Sequence, residues 1–432
     1  MSFCFFFYKI RFTIWVVLLS ILVSFLRSEK FGRTFPILKS YVKLMKLKML
    51  LSIRLHVVLS FSLSALTFCQ YALESPSAPE FSLLGLARPS VSSGPMGLSV
   101  NQTDVTSGST YNFQSVLNGF RSPNVAITIT NSSGNTFEIP STNFITISGT
   151  NASDFILTGS PNGTIANGAS VTTELYFSSS SLGTKAAILT LQPGGGFSPI
   201  SINLQGTGVN NPPGMSLFSQ FETLTFADSS GNGNRGFVSG NFGSPFVTGI
   251  RGNAIRLGYG ASPTFEYITI PDSTPQNFHF SGAQAISISS WVRPDTGNLG
   301  TIFDKSQNND ANPNVIFDFS ASNSGLRVGS WRESAVSEAV AWAGSISSGW
   351  HHVACVYDPG SNPNVTLYLD SVPVQTGNIV STPTAGANSA DANIGRFRRD
   401  ASQLYVGSMD ELRIYYPVAL SASQIQSIYN SR

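Results

Sequence analysis

Two clusters of oxygen-bearing side chains are where this chain could do chemistry. The first is Asp228-Ser229-Ser230-Gly231-Asn232-Gly233-Asn234; the second is Asp410-Glu411, ahead of Leu412-Arg413-Ile414-Tyr415. Calcium takes about six to eight oxygens from carboxylates, side-chain amides and backbone carbonyls. A loop of Asp, Asn and Gly offers all three, and glycine lets the backbone turn tightly around an ion. The same residues also make ordinary polar turns, so spacing alone leaves a metal loop and a plain turn both open.

Other groupings carry less. Retaining glycosidases need two carboxyl groups about 5–5.5 Å apart. Residues i, i+2 and i+4 share one face of a strand, so a compact Glu-x-Asp-x-x-Glu strand would mark such a pair. None occurs. Glu333 and Glu338 stand five apart in a Ser/Ala-rich stretch, and Asp410 and Glu411, as neighbours, face opposite ways. A Gly-x-Ser-x-Gly nucleophile elbow is absent. His351 and His352 are also neighbours on one strand pattern and do not both enter one site, which reads as two structural histidines. Tyr259, Trp331, Trp342 and Phe397 are candidates for stacking on sugar rings and equally for a core. Arg396, Arg398 and Arg399 beside Asp400 read first as a solvated turn.

Strands must position these residues. Only 11% of the chain is charged, while Gly, Ser, Thr and Asn abound, which suits short strands joined by turns rather than amphipathic helices. A length of 432 residues predicts two or three domains. Cys4, Cys69 and Cys355 make no disulfide framework, and Cys355 falls in an apolar strand pattern as a small buried hydrophobe. The net charge of +2 hides an asymmetry, because residues 1–54 hold 10 of the 25 basic residues and one of the 23 acids. Without the segment before Cys69, 15 bases face 22 acids, a net charge of −7. Such a balance argues against nucleic-acid binding, which rests on clustered Lys and Arg, and against an anionic membrane surface.

The chemical clusters sit inside a longer ordered pattern. After the Asp228 loop come Gly252-Asn253-Ala254-Ile255-Arg256-Leu257, Tyr267-Ile268-Thr269-Ile270-Pro271-Asp272 and Ile286-Ser287-Ile288-Ser289-Ser290-Trp291-Val292. Thr301-Ile302-Phe303-Asp304-Lys305, Gly349-Trp350-His351-His352-Val353-Ala354 and Val365-Thr366-Leu367-Tyr368-Leu369-Asp370 follow in turn. Residues 214–432 thereby resemble the laminin-G-like jelly roll of the concanavalin A-like lectin/glucanase superfamily. In that family a D-x-S-G-N-G-N loop follows the first strand and a D-E-V-R-I-Y strand comes last. The resemblance implies a structural Ca2+ held by the Asp228 and Asp410 carboxylates with oxygen from Asn232 or Asn234. Gly231 and Gly233 would fold the loop around the ion, and Glu411 would face away and pair with Arg413.

Upstream, Val125-Ala126-Ile127-Thr128-Ile129-Thr130-Asn131 alternates with period two, as do Glu174–Phe177 and Ala187–Leu191. Turn clusters such as Asn131-Ser132-Ser133-Gly134 and Asn162-Gly163-Thr164 separate them, and about seven strands in ~110 residues suit a β-sandwich. Ile165–Ser170, Leu175–Phe177 and the closing Leu204-Gln205-Gly206-Thr207-Gly208 resemble the immunoglobulin-like domain of abnormal-spindle and hydin proteins and its choice-of-anchor D relative. That resemblance implies a spacer or interaction module without chemistry.

Two apolar runs open the chain, Phe12–Leu26 and Met49–Phe68, each after basic residues. The second reads as a secretory signal beginning at Met45 or Met49, with residues 1–44 an over-extended start. The alternative is a membrane span at 12–26, short for the ~20 residues needed. Leu66-Thr67-Phe68-Cys69 resembles a bacterial lipoprotein signal, which would lipidate Cys69 and anchor the protein to a membrane. Phe68 stands where that signal has a small residue, and cleavage after Ala72 with free secretion is the other route.

The sequence thus predicts an all-β chain: an N-terminal hydrophobic export segment, an immunoglobulin-like β-sandwich, then a concanavalin A-like jelly-roll β-sandwich. The segments are 1–44 (over-extended start or membrane segment), 45–72 (signal), 73–96 (linker), 97–208, 209–213 (linker) and 214–432. The expected function is that of an exported bacterial surface or secreted protein. Its calcium-stabilised module would bind carbohydrate or an extracellular protein without catalysis or nucleic acid. A polysaccharide-active enzyme and a structural surface-layer component are the alternatives.

Overall fold

The computed structural model describes residues 96–432, apart from 224, 241–244, 259–265, 273–283, 296–299, 307–315, 332–336, 380–389 and 398–402. The expected start and signal (1–44 and 45–72, with Cys4 and Cys69) and nearly all of the 73–96 linker lie outside the described residues. Among the described residues no helix is long and apolar enough to cross a membrane.

The first sandwich follows from period-two alternation. In Val125–Asn131, Val125, Ile127 and Ile129 point inward and are buried while Ala126 and Thr128 between them stay partly exposed. That strand sits in a five-stranded sheet between Met96–Val100 and Ser170–Phe177. A four-stranded sheet faces it, in the order Thr110–Leu117, Ile200–Val209, Gly183–Leu191, Ile145–Ser148. Its first pair is parallel and the others antiparallel. Both sheets feed one core that includes Ile127, Ile129, Phe177, Leu189 and Leu204, each such side chain contributing about 1.5–3 kcal/mol on burial. The turn cluster after the central strand is closed by buried Asn131. Its Nδ2 donates to the carbonyls of Asn135 and Ile165, both at 2.7 Å, and its Oδ1 accepts from the Ser133 amide at 3.0 Å.

The second sandwich packs an eight-stranded sheet against a seven-stranded one around a core that includes Ile288, Val292, Phe303, Phe319, Leu367 and Ile414. Gly407–Tyr415 is buried throughout and pairs along one edge with Ile286–Pro294. Its other edge is shared: Asn253–Leu257 pairs with residues 407–409, and Met215–Ser219 with residues 412–415. The gap between those partners falls at Asp410-Glu411. There Glu411 takes a φ of 52° and the register against Ile286–Pro294 shifts, as expected where an extra residue bulges from a strand and re-aims its side chains.

The chain closes with the helix Ala422–Tyr429, started by a reciprocal Ser421/Gln424 capping box. Its Ile425 and Ile428 fall on one face. They form a third apolar cluster with Ala354, Val356, Tyr368 and Tyr415 of the second sandwich and Leu117 of the first. Polar contacts cross the same junction: the Leu117 amide donates to Ser431 Oγ at 2.9 Å, and Asn430 Nδ2 to the Ser115 carbonyl at 3.2 Å. The expected 209–213 linker therefore joins two packed sandwiches, both within one compact unit, Pro89–Arg432.

Candidate functional site

Asp228 lies just after Met215–Ser219 and organises its own loop. Its Oδ1 accepts from the amides of Phe218 (3.0 Å) and Ser230 (2.9 Å), and its Oδ2 from the amide of Asn234 (2.9 Å). Asn232 and Asn234 turn their Nδ2 groups onto the carbonyls of Met215 (2.7 Å) and Ser216 (2.6 Å). Gly231 and Gly233, at φ 86° and 79°, make the tight turns that glycine tolerates.

Asp410 is treated in the same way by another segment. Its Oδ2 accepts from the amides of Ile250 (2.8 Å) and Arg251 (3.1 Å), and its Oδ1 from that of Glu411 (2.8 Å). A Cβ at Gly249 would collide with that Oδ2. Burial pushes the Asp410 carboxyl up to about 7. The Arg251 amide pulls the other way, the nearby Glu411 charge adds to the rise, and the Glu411 and Ile250 amides oppose it. Glu411 faces Arg413, with Oε2 2.6 Å from Nη2 in a fully buried pair.

These residues do not fit a calcium centre. Six backbone N–H groups converge on the two carboxylates, where a calcium loop would present carbonyl oxygens, and the Met215 and Ser216 carbonyls are taken by side-chain amides. The donor set neutralises carboxylates with N–H dipoles, as a cation otherwise would. Among the described residues, no group of three or more His, Cys, Asp or Glu gathers as a metal site.

Register creates a second constellation, on the outward face of the seven-stranded sheet. Thr269, Asn393, Asp304, Asp318 and Gly329 are successive cross-strand partners. Their strand neighbours Ile268, Ile394, Phe303, Phe319 and Val328 fill the core. Asp304 and Asp318 thus stand directly opposite one another, with Cβ atoms about 5 Å apart for such a pair. Both are fully buried. Arg327 Nη1 meets Asp318 Oδ2 at 2.9 Å and Ser320 Oγ meets the same oxygen at 3.2 Å. The Ser306 hydroxyl donates to Asp304 Oδ1, and Asn393 Nδ2 reaches Oδ2 at 3.5 Å. Gly329 keeps the space open, since a Cβ there would strike Asp318 and Arg327. The alternation Phe317-Asp318-Phe319 was readable in the sequence; the opposition of two acids on different strands was not.

The histidines separate as neighbours on a strand must. His352 is buried among Trp291 and Tyr429, and burial, with the Arg413 charge adding, pulls its imidazole down to about 3, leaving it neutral. His351 is partly exposed: its Nδ1 lies 2.7 Å from Asp370 Oδ2 and its Nε2 lies 2.6 Å from Ser347 Oγ. Asp370 Oδ1 also accepts from the His352 amide at 2.9 Å, clamping the Asp370-Ser371 turn to the strand His351–Tyr357. Serine on Nε2 and carboxylate on Nδ1 is also the order of a hydrolytic relay. Cys355 is buried as expected, and burial, with Asp318 adding, pushes its thiol well up. Phe397 is core-like and Trp342 packs against the core. Tyr259, Arg398, Arg399, Asp400 and Glu333 lie outside the described residues, as do the side chains of Trp331 and Glu338.

Residues 263–426 match the family profile described as the Concanavalin A-like lectin/glucanases superfamily. Residues 263–426 thus carry a concanavalin A-like domain. Among solved structures, this chain is similar to domain 4 of AbnA, a GH43 extracellular arabinanase from Geobacillus stearothermophilus, in complex with arabinotriose. That match is 24% identical, covers 50% of this chain and 98% of the other, and has a TM-score of 0.37. The binding domain of botulinum neurotoxin DC in complex with SialylT is 16% identical over 50% of this chain and 51% of the other, with a TM-score of 0.40. The binding domain of Paraclostridial Mosquitocidal Protein 1 is 16% identical over 50% and 52%, with a TM-score of 0.39. The chain spans about half the length of these toxin domains. No curated protein matches it in sequence. The concanavalin A-like domain includes the Asp304/Asp318 row, the His351 clamp and Asp410; the Asp228 loop precedes the matched residues.

Proposed function

We propose that this is an exported surface or secreted protein whose concanavalin A-like domain binds carbohydrate or an extracellular protein without catalysis. The observation that carries the reading is how the acids are spent. Asp228 and Asp410 are committed to backbone amides, and Asp304 and Asp318 are buried, with Arg327 on the second. General acid–base work needs a carboxyl within reach of the bond it protonates. The first sandwich is packed against the domain as a rigid mount, and lipidation at Cys69 or free secretion would place the unit outside the cell. The test is an array of glycans and extracellular-matrix proteins probed with the full-length protein. Capture by a narrow ligand class that survives Asp304→Asn supports the reading. Turnover of a polysaccharide lost in Asp304→Asn or Asp318→Asn would replace it with a glycosidase.

A second reading, hydrolysis of an acyl ester on a polysaccharide, draws on the Ser347–His351–Asp370 order. Ester cleavage by the wild type, lost in Ser347→Ala with folding intact, would establish it. Equal rates in both proteins would leave Asp370 and His351 as a hairpin clamp.

A further inference from the structure

Three arginines far apart in sequence meet in one cleft at the junction of the sandwiches. The cleft, of about 330 Å³, is lined by Phe120, Arg121 and Ser178 of the first sandwich and by Arg251, Gly252 and Arg432 of the second, among others. Arg121 follows the strand Thr110–Leu117, Arg251 sits in the turn between Phe246–Thr248 and Asn253–Leu257, and Arg432 follows the terminal helix. Main-chain bonds lock two of these segments together. The Arg121 amide donates to the main-chain oxygen of Arg432 at 3.1 Å, and the Arg432 amide donates to the carbonyl oxygen of Arg121 at 2.8 Å.

Each guanidinium lies over an aromatic ring rather than in an ion pair. Arg251 lies 4.7 Å over the Phe120 ring, Arg121 4.8 Å over Tyr176 and Arg432 4.9 Å over Trp291. A guanidinium held over a ring keeps N–H groups with which it can hold a carboxylate or sulfate. Arg121 spends one N–H on Asn124 Oδ1 at 2.6 Å. Among the described residues none of the three makes an ion pair. Three acids stand near the cleft without an ion pair to these guanidinium groups: Glu222 accepts the Asn253 amide at 3.0 Å, Asp410 lies beneath the amides of Ile250 and Arg251, and Asp370 acts on Arg432 through space. Arg432 Nε is buried with no hydrogen-bond partner, a costly state. Burial pulls the Arg432 guanidinium below its ordinary range; Tyr429 and Asp370 oppose this, and the Arg121 charge adds to it.

We propose that this interdomain cleft binds an acidic saccharide, with Arg121, Arg251 and Arg432 holding its carboxylate or sulfate groups. The inference rests on the carbohydrate-binding reading and names the saccharide class. Two sandwiches that each contribute cations to one cleft explain why the first is packed in place: it completes the site.

The test is isothermal titration of the full-length protein with a galacturonate trisaccharide, its neutral methyl ester, a sulfated disaccharide and inorganic sulfate. Either or both acidic saccharides are expected to bind, and more weakly as salt rises. The methyl ester and inorganic sulfate are expected to bind at least about tenfold more weakly, and Arg121→Gln and Arg251→Gln each to lose about tenfold. Melting curves check that both variants fold; Arg121, whose side chain is exposed, carries the test if Arg251→Gln does not. Binding of the ester as tightly as the acid, or unchanged affinity in Arg121→Gln, overturns the cleft while leaving an array-positive protein a lectin. Inorganic sulfate bound as tightly as the saccharides overturns the saccharide class. Silence of all four probes overturns the cleft, and silence of the array as well overturns the binding function.

Discussion

Two opposing influences act on the Asp410 carboxyl group: burial favours the neutral acid and three backbone amides favour the anion. Burial prevails, lifting the group to about 7. A pKa raised above its unfolded value means that the group's stabilisation is complete below about pH 4 and lost as pH rises through 7, with an upper bound of about 4 kcal/mol. Thermal unfolding of the wild type is therefore expected to move to lower temperature between pH 5 and pH 8. Asp410→Asn keeps an acceptor for Ile250 and Arg251 and should flatten that slope; an unchanged slope would place the titration elsewhere. Asp228 gives the complementary experiment. Asp228→Ala strands three amides and is expected to cost about 2–3 kcal/mol, while calcium and chelator leave the wild-type melting temperature unchanged. A calcium-dependent rise in melting temperature that Asp228→Ala erases would restore the metal loop.

Strand pairing turns ordinary polar residues into a constellation. Asp304, Asp318 and Asn393 alternate with apolar neighbours on three strands, and antiparallel register places them in one row. Gly329 is the partner that register requires to be small: any Cβ meets the Asp318–Arg327 pair. Gly329→Ala is expected to destabilise the second sandwich by about 1–3 kcal/mol, read from denaturant midpoints at constant m. A neutral result would mean that the Arg327 side chain swings clear without loss. The alternation was legible in Phe317-Asp318-Phe319-Ser320. The pairing was not, because contacts between residues 14 and 89 positions apart are fixed by sheet closure rather than by local spacing.

The junction sets the behaviour of the whole molecule. Leu117 of the first sandwich, Ile425 and Ile428 of the helix, and Ala354 and Tyr415 of the second sandwich share one apolar cluster. Two domains so joined are expected to unfold in one calorimetric transition rather than two. Ile428→Ala, which opens a cavity in that cluster, should cost about 2–5 kcal/mol and begin to resolve a second transition. Two independent transitions in the wild type would mean that the first sandwich is a free spacer.

The sequence by itself determined the strand content and the sandwich class, because alternation and turn chemistry are local; the concanavalin A-like reading of the C-terminal part came from the resemblance of its ordered landmarks to that family. It also marked Asp228 and Asp410 as special. Only the tertiary structure decided what they do: backbone N–H groups from Phe218, Ile250 and Arg251 meet those carboxylates, and which amides converge on an acid is a property of chain closure. The same holds for the three arginines at positions 121, 251 and 432, which no spacing rule connects and which the packed junction brings to one cleft.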